Sequence, residues 1–272
     1  MIFPDYHIHT SFSSDCKSNI HDIIKKAKEN GLTSMCVTDH YDIDFPLQKA
    51  DPTMDFYLDT DNYYAYMSNV KNSVSQDFDL RIGVELGVMP SVTKKAAEYV
   101  KNHPELDFVI CSTHLVDGLD PYYPEYFADK TDNEAYRRYF EEILNTVRDF
   151  HTFNVYGHLD YIVRYGRKHY ESFQYADHMD ILREIIKIIV ENGCGIEINT
   201  CSLYKGLPYP HPHKDILRLY KEAGGEIITI GSDTHDIVHV GYGFDMARQL
   251  LLDNGFRYYC TFEKQKPTFV KI

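Results

Sequence analysis

Short apolar runs alternate with longer amphipathic stretches along the whole chain. The runs lie at 2–8, 34–38, 80–88, 108–111, 153–156, 195–198 and 226–230. Each has the length of a buried strand, and the stretches between them carry apolar residues at helical spacing. After the first run, Ile20, Ile23, Ile24 and Ala27 share one helical face and Gly31 stops it. Thr60 or Asp61 is expected to cap a helix carrying Tyr63, Tyr66, Met67, Val70 and Val74. Ser91 is expected to open a helix that Pro104 ends, and Asp132 to cap a long one running to about Phe150. Further helices are expected over roughly 176–191, 213–223 and 245–254, before a last apolar segment at 258–262.

Strands alternating with helices predict a parallel sheet built from βαβ units. No linker, repeat or low-complexity tract interrupts the alternation, so we expect one α/β domain over residues 1–272. Seven such units favour a closed or nearly closed TIM-like barrel over an open, doubly wound sheet. No GxGxxG follows the first run, which removes the usual sign of a dinucleotide site.

The chemistry lies at the ends of the runs. His7 and His9 close the first, with Asp15 just beyond, and Asp39 and His40 follow the second. Glu85 lies inside the third, near its end. His114 follows the fourth, His158 the fifth, Glu197 and Asn199 end the sixth, and Asp233 and His235 follow the seventh. In a barrel the carboxyl ends of the strands form one face, where active sites assemble, so these scattered positions become neighbours. Imidazole with carboxylate, and no thiolate, suits Zn, Mn or Fe.

Taken singly, each residue has an ordinary explanation. A strand histidine can satisfy a carbonyl, and Asp39 or Asp233 can cap a turn. A carboxylate inside an apolar strand, as at Glu85, is costly without a cation or hydrogen-bond partners. Taken jointly, so many acids and imidazoles at one end would repel one another without cations. His21, His103, His151, His169, His178, His211, His213 and His239 lack that placement. A solvated position is expected for His21, His151 and His178, while His211 and His239 could reach the site from loops.

Charge narrows the partners. With 28 basic and 41 acidic residues the chain carries a formal −13, a field that disfavours nucleic acid. No apolar run approaches the ~20 residues of a membrane span. The first residues show no secretory pattern, and the six cysteines are scattered without a CxxC pair. Reduced thiols and a cytoplasmic setting are the expectation.

The ordered motifs HIHT at 7–10, TDH at 38–40, Glu85, STH at 112–114, GHLD at 157–160 and GSDTH at 231–235 resemble the PHP (polymerase and histidinol phosphatase) family. The likeness runs from the first strand to about Gly241. Asp15, where many members carry histidine, together with EINTCSLYKG at 197–206, resembles the histidinol-phosphate phosphatase branch. That branch usually reads close to EINTSGLRKG, so Cys201, Ser202 and Tyr204 are departures.

The resemblance implies a distorted (β/α)7 barrel with three divalent ions, Zn, Fe or Mn. It implies His7, His9, Glu85 and Asp233 on one ion, Glu85 as a bridge with His114 and His158 on a second, and Asp15, His40 and His235 on the third. The implied activity is hydrolysis of a phosphate monoester, most specifically L-histidinol phosphate to L-histidinol and phosphate in histidine biosynthesis. Arg164 is expected to bind phosphate through its planar fork, with Lys205 as a second cation. Asp233 could accept the proton of the attacking water, and Asp42, Asp117 and Asp160 are candidates to meet the substrate amine.

Two other readings share these residues. One is a broader phosphoesterase acting on nucleotides or other small esters. The other is a metal-binding module without catalysis, which would be expected to have lost several ligands. A metal-dependent amidohydrolase fits less well, because Glu85 and TDH are not its ligand pattern.

Overall fold

The structure is a computed structural model that describes residues 3–46, 54–167, 170 and 173–272. Ile2 of the first run and His169 lie outside them. The parallel strands are β1 (Asp5–Ile8), β2 (Ser34–Val37), β3 (His40–Asp42), β4 (Asp79–Gly87), β5 (Phe108–Ser112), β6 (Val155–Tyr156), β7 (Gly195–Asn199) and β8 (Ile228–Gly231). The helices are α1 (Ile20–Glu29), α2 (Thr60–Ser73), α3 (Thr93–Asn102), α4 (Asp132–Asp149), α5 (Met179–Glu191), α6 (Cys201–Tyr204), α7 (Lys214–Glu222) and α8 (Phe244–Asp253). The strand order is β1-β2-β4-β5-β6-β7-β8, with β3 pairing only β4.

β2 and β3 are two halves of one interrupted strand. β2 pairs the first half of β4, from Ser34↔Asp79 to Val37↔Ile82, and β3 pairs its last residues, with His40 opposite Glu85. The break falls at Thr38 and Asp39. Asp39 is fully buried and accepts hydrogen bonds from Thr10 N (2.7 Å), Thr10 Oγ1 (2.8 Å) and Ser13 Oγ (2.7 Å), so it ties down the loop after β1. β1 and β8 come together through the single bridge Ile8↔Thr234, which makes a seven-stranded, nearly closed barrel. Strands of a parallel sheet covered by helices are buried on both faces. β1, β5, β7 and β8 are accordingly buried at every position, with apolar side chains throughout most of β5 and β8 and ionisable ones (Asp5, His7, Glu197) set into β1 and β7.

Helix starts fall one residue or more from the expected caps. Asp59 caps α2 by accepting from Asn62 N, and Thr131 caps α4 in a capping box with Glu134. Adjacent polar residues made these starts ambiguous. A short 3-10 turn at Pro90–Val92 precedes α3, so Ser91 lies before the helix. Tyr66, expected on the packed face of α2, is 40% exposed.

The chain closes with an antiparallel hairpin, β9 (Tyr258–Glu263) and β10 (Lys266–Lys271). Phe262 packs 4.9 Å from Phe108, and its backbone N–H donates to Tyr6 Oη at 3.0 Å. The hairpin covers the barrel near the starts of β1 and β5, the end away from the histidines. Among the described residues no helix is long and apolar enough to cross a membrane.

Candidate active site

His7 Nδ1 lies 2.6 Å from Oε1 of Glu197 in β7. A neutral imidazole carries one N–H, and a carboxylate behind Nδ1 draws the proton there. Nε2 is then a lone pair. It faces Glu85 Oε2 at 3.1 Å, His9 Nε2 at 3.1 Å and Asp233 Oδ1 at 3.6 Å. His9 Nε2 is 3.4 Å from Glu85 Oε2 and 3.3 Å from Asp233 Oδ1. Two imidazoles and two carboxylates thus aim acceptors at one another.

Glu85 is the centre of the arrangement. Its Oε1 is 3.0 Å from His158 Nε2 and 3.2 Å from His114 Nε2, and it accepts from Ser112 Oγ at 2.6 Å. Its Oε2 lies 3.0 Å from His40 Nδ1, yet both atoms are buried without a hydrogen bond. They are close but not aligned as donor and acceptor. His114 repeats the arrangement of His7: its Nδ1 is 2.8 Å from Asp42 Oδ2, which leaves Nε2 for Glu85. At the rim, His235 Nε2 is 3.1 Å from Asp15 Oδ2 and 3.4 Å from His40 Nε2.

Three donor groups lie within 4.8 Å of one another internally: His9 with His40 and His235, His7 with His9 and Glu85, and His40 with Glu85 and His114. The set fits divalent ions. Convergent lone pairs backed by carboxylates are the outer arrangement that orients metal-ligating histidines, and imidazole with oxygen donors suits Zn, Mn or Fe.

Without ions, protons carry the compensation. Burial disfavours charge on His7, but Glu197, Glu85 and Asp233 hold its pKa well above the usual imidazole range. His114 shifts the same way, burial being outweighed by Asp42 and Glu85. His40 is pushed up to about 9 by Glu85 and Asp15, against its burial. His9 goes the other way, lowered by burial and by the charges of His235 and His40. Glu85 and Asp233 stay well below the usual carboxylate range despite full burial, because imidazoles surround them.

Two of the clustered residues have left-handed backbone, His158 at φ 21° and Asp233 at φ 51°. Such conformations are sparsely populated for non-glycine residues and gather at functional sites. Here they turn the His158 N–H onto Glu197 Oε2 (3.1 Å) and the Asp233 N–H onto the His7 carbonyl (2.8 Å). Gly231 lets β8 approach: a Cβ there would stand 2.3 Å from His7 Cβ and 2.5 Å from Glu197 Oε1.

A cavity of about 550 Å³ opens above the cluster, bordered by Asp15, His40, His114, His158, Asp233 and His235. Arg164 also borders it. Its guanidinium lies 4.3 Å over the Tyr161 ring and 2.9 Å from Cys201 Sγ. Lys205 is exposed at the edge, its Nζ 5.8 Å from the centre of the Tyr204 ring.

All nine expected ligand positions therefore meet at one end of the barrel. Other expectations change. Asp42 orients His114. Asp160 is buried and already accepts from His211 Nδ1 (2.6 Å), Tyr175 Oη (2.6 Å) and His213 N (3.0 Å). Asp117 is exposed and paired with Arg138. None of the three is available to a substrate amine. His178, expected in solvent, is buried and stacks on Phe173 at 5.2 Å. His211 is tied to Asp160 and does not border the cavity, while His239 stacks on Tyr204 at 3.9 Å.

Three roles were not legible. Glu197 and Asp42 act behind histidines carried by other strands, and Asp120 borders the cavity from a loop. Only Glu197 had a signal, its place at a strand's carboxyl end.

Comparison with known proteins bears on this geometry. The PHP domain pattern matches residues 5–201. A histidinol-phosphatase from Lactococcus lactis is 30% identical over 96% of this chain and 95% of its own length. A probable histidinol-phosphatase from Clostridium acetobutylicum is 30% identical over 92% of each chain. The crystal structure of the Lactococcus lactis histidinol phosphate phosphatase, complexed with zinc, L-histidinol and phosphate, superposes with a TM-score of 0.87 at 30% identity, covering 98% of both chains.

Proposed function

The chain belongs to the PHP domain family, and on that premise we propose that it is a metal-dependent phosphatase whose substrate is L-histidinol phosphate. The observation that carries the reading is Glu85: one buried carboxylate met by His7, His40, His114 and His158 nitrogens at 3.0–3.2 Å, beneath a cavity that holds Arg164. The relatives' names and the zinc, L-histidinol and phosphate of the Lactococcus lactis structure support the choice of substrate.

His7, His9, Glu85 and Asp233 would hold one divalent ion, and Glu85, His114 and His158 a second. Asp15, His40 and His235 would hold a third. His40 stands close enough to Glu85 to be shared between groups. When bound, such ions supply Lewis acidity toward phosphoryl oxygens and make bound water a stronger acid.

The remaining work falls to the protein. Arg164 meets the non-bridging phosphate oxygens with a planar fork already braced on Tyr161. Asp233, ionised and at the cavity wall, accepts the proton of the attacking water. The water oxygen bonds to phosphorus as the ester P–O bond breaks, and the proton taken up by Asp233 passes through water to the leaving alkoxide, giving alcohol and phosphate. Cys201 stays a neutral thiol, since burial raises its pKa well above the ordinary thiol value. A covalent phosphocysteine is therefore not part of the scheme. Six buried, unpaired cysteines support a reducing, cytoplasmic setting.

The test is a phosphate-release assay on protein of measured metal content, comparing histidinol phosphate with nucleotides and simple esters. A clear preference for histidinol phosphate is expected. Equal turnover of all esters would favour the broader phosphoesterase, and no release by fully metallated protein would remove phosphatase activity altogether.

A further inference from the structure

Among the described residues, the cavity wall carries one carboxylate that the scheme above does not use. Asp15, Asp120 and Asp233 all border it. Asp15 and Asp233 each have an imidazole nitrogen within 3.1–3.3 Å. Among the described residues Asp120 is ion-paired with no cationic side chain. Its Oδ1 accepts only from the backbone N–H of Tyr122, at 2.8 Å.

We infer that Asp120 is the specificity residue that receives a protonated amine on the alcohol portion of the substrate. The inference deepens the proposed phosphatase reading and rests on it. Asp42, Asp117 and Asp160 are engaged elsewhere, which leaves Asp120, among the described residues, as the carboxylate facing the cavity outside the ion cluster.

The surroundings suit a cation. Tyr122 and Tyr123 lie with ring centres 5.1 Å apart, and Tyr122 meets Tyr165 at 5.9 Å. Tyr165 in turn meets Tyr161 at 4.9 Å, and Tyr161 lies 5.0 Å from the His158 ring. A line of aromatic rings thus leads from the ligand cluster to the segment bearing Asp120. Ring faces attract ammonium groups, and Arg164 already lies over two of these rings. Burial also pushes the Asp120 carboxyl up to about 6, so an incoming cation is favoured there. The cavity then offers a cation, Arg164, to the phosphate and an anion, Asp120, to the amine. The matching substrate class is an aminoalkyl phosphate monoester.

Asp120 also serves its own turn, accepting from Tyr122 N two residues on, and asparagine makes the same turn. Asp120→Asn therefore removes charge while keeping the acceptor. The experiment measures kcat/KM of the metal-loaded wild type and Asp120→Asn on histidinol phosphate, phosphoethanolamine and propyl phosphate. It also measures binding of L-histidinol by calorimetry.

The wild-type preference for phosphoethanolamine over propyl phosphate should collapse at least about tenfold in the variant, chiefly through KM. L-Histidinol binding should weaken by a similar factor. Equal losses on the amino and propyl esters, or an unchanged preference, would overturn the inference. The two readings fail separately. A wild type indifferent to histidinol phosphate removes that substrate, while an aminoethyl preference lost in Asp120→Asn still upholds Asp120.

Discussion

Glu197 Oε1 stands 2.6 Å from His7 Nδ1, while the Oε2 of the same carboxylate accepts the backbone N–H of His158 and Nδ2 of Asn199, each at 3.1 Å. One buried side chain thus sets the tautomer of a histidine on β1 and the backbone of a histidine after β6. Glu197→Gln keeps the shape but presents an amide where His7 needs an acceptor. Metal affinity should fall about 10–100-fold, as for other residues that hold ligands from behind. Chelator competition measures it, and wild-type affinity would refute the orienting role.

Glu85→Gln should lower kcat by more than about a thousandfold and reduce the number of ions retained, because the bridge between donor groups is lost. Circular dichroism and metal analysis should be run together. A folded variant with full metal content and near-normal turnover would contradict the cluster.

The metal-stripped protein should have a distinctive pH profile. His40 is raised to about 9 from an ordinary 6.5, the carboxylates of Glu85 and Asp15 outweighing burial, and His7 and His114 shift the same way. A group whose folded-state pKa is raised contributes stability below its unfolded value and loses it as pH climbs through the folded one. The Tm of chelated protein should therefore fall between about pH 6.5 and 9. Divalent ions displace the same protons, so metal affinity should rise over that interval. A chelated Tm that increases with pH there would count against the proton-compensated cluster.

Arg164→Ala should raise KM for phosphate esters by about tenfold or more. Arg164→Lys should recover little, since a lysine cannot present a fork or stack on Tyr161 in the same way. Steady-state kinetics on one ester decides it, and wild-type KM in both variants would take Arg164 out of the site.

Gly231→Ala tests the close approach of β8 to β1. The added methyl would press on His7 Cβ and Glu197 Oε1. A stability cost of about 1–3 kcal/mol is expected from overpacking, with weaker metal retention. A variant as stable and as well metallated as wild type would show that His7 tolerates displacement.

The barrel was readable because strands buried on both faces leave mostly apolar runs, and the site was readable because its residues end those runs. β3 was not, since the run-like signal is missing from His40-Tyr41-Asp42, whose polar members face the cluster. β10 was missed because its residues are mostly exposed and show no buried face. His178 resembled a solvated helix-end residue, but the rings of Phe173, Phe140 and Tyr136 pack on it from outside its own turn. The role of Asp120 depends on which way a loop folds over the cavity, and no local spacing encodes that.

The meeting of β1 and β8 at the single Ile8↔Thr234 bridge has its own consequence. His7 and His9 come from one side of that junction, and Asp233 and His235 from the other. Ions held between them would act as a clasp, joining the two ends of the barrel's circumference where the ladder does so least. Amide exchange at 5–9 and 228–235 should therefore accelerate on chelation ahead of the opposite wall around β5. Occupancy of the site would then govern how firmly the whole ring is shut.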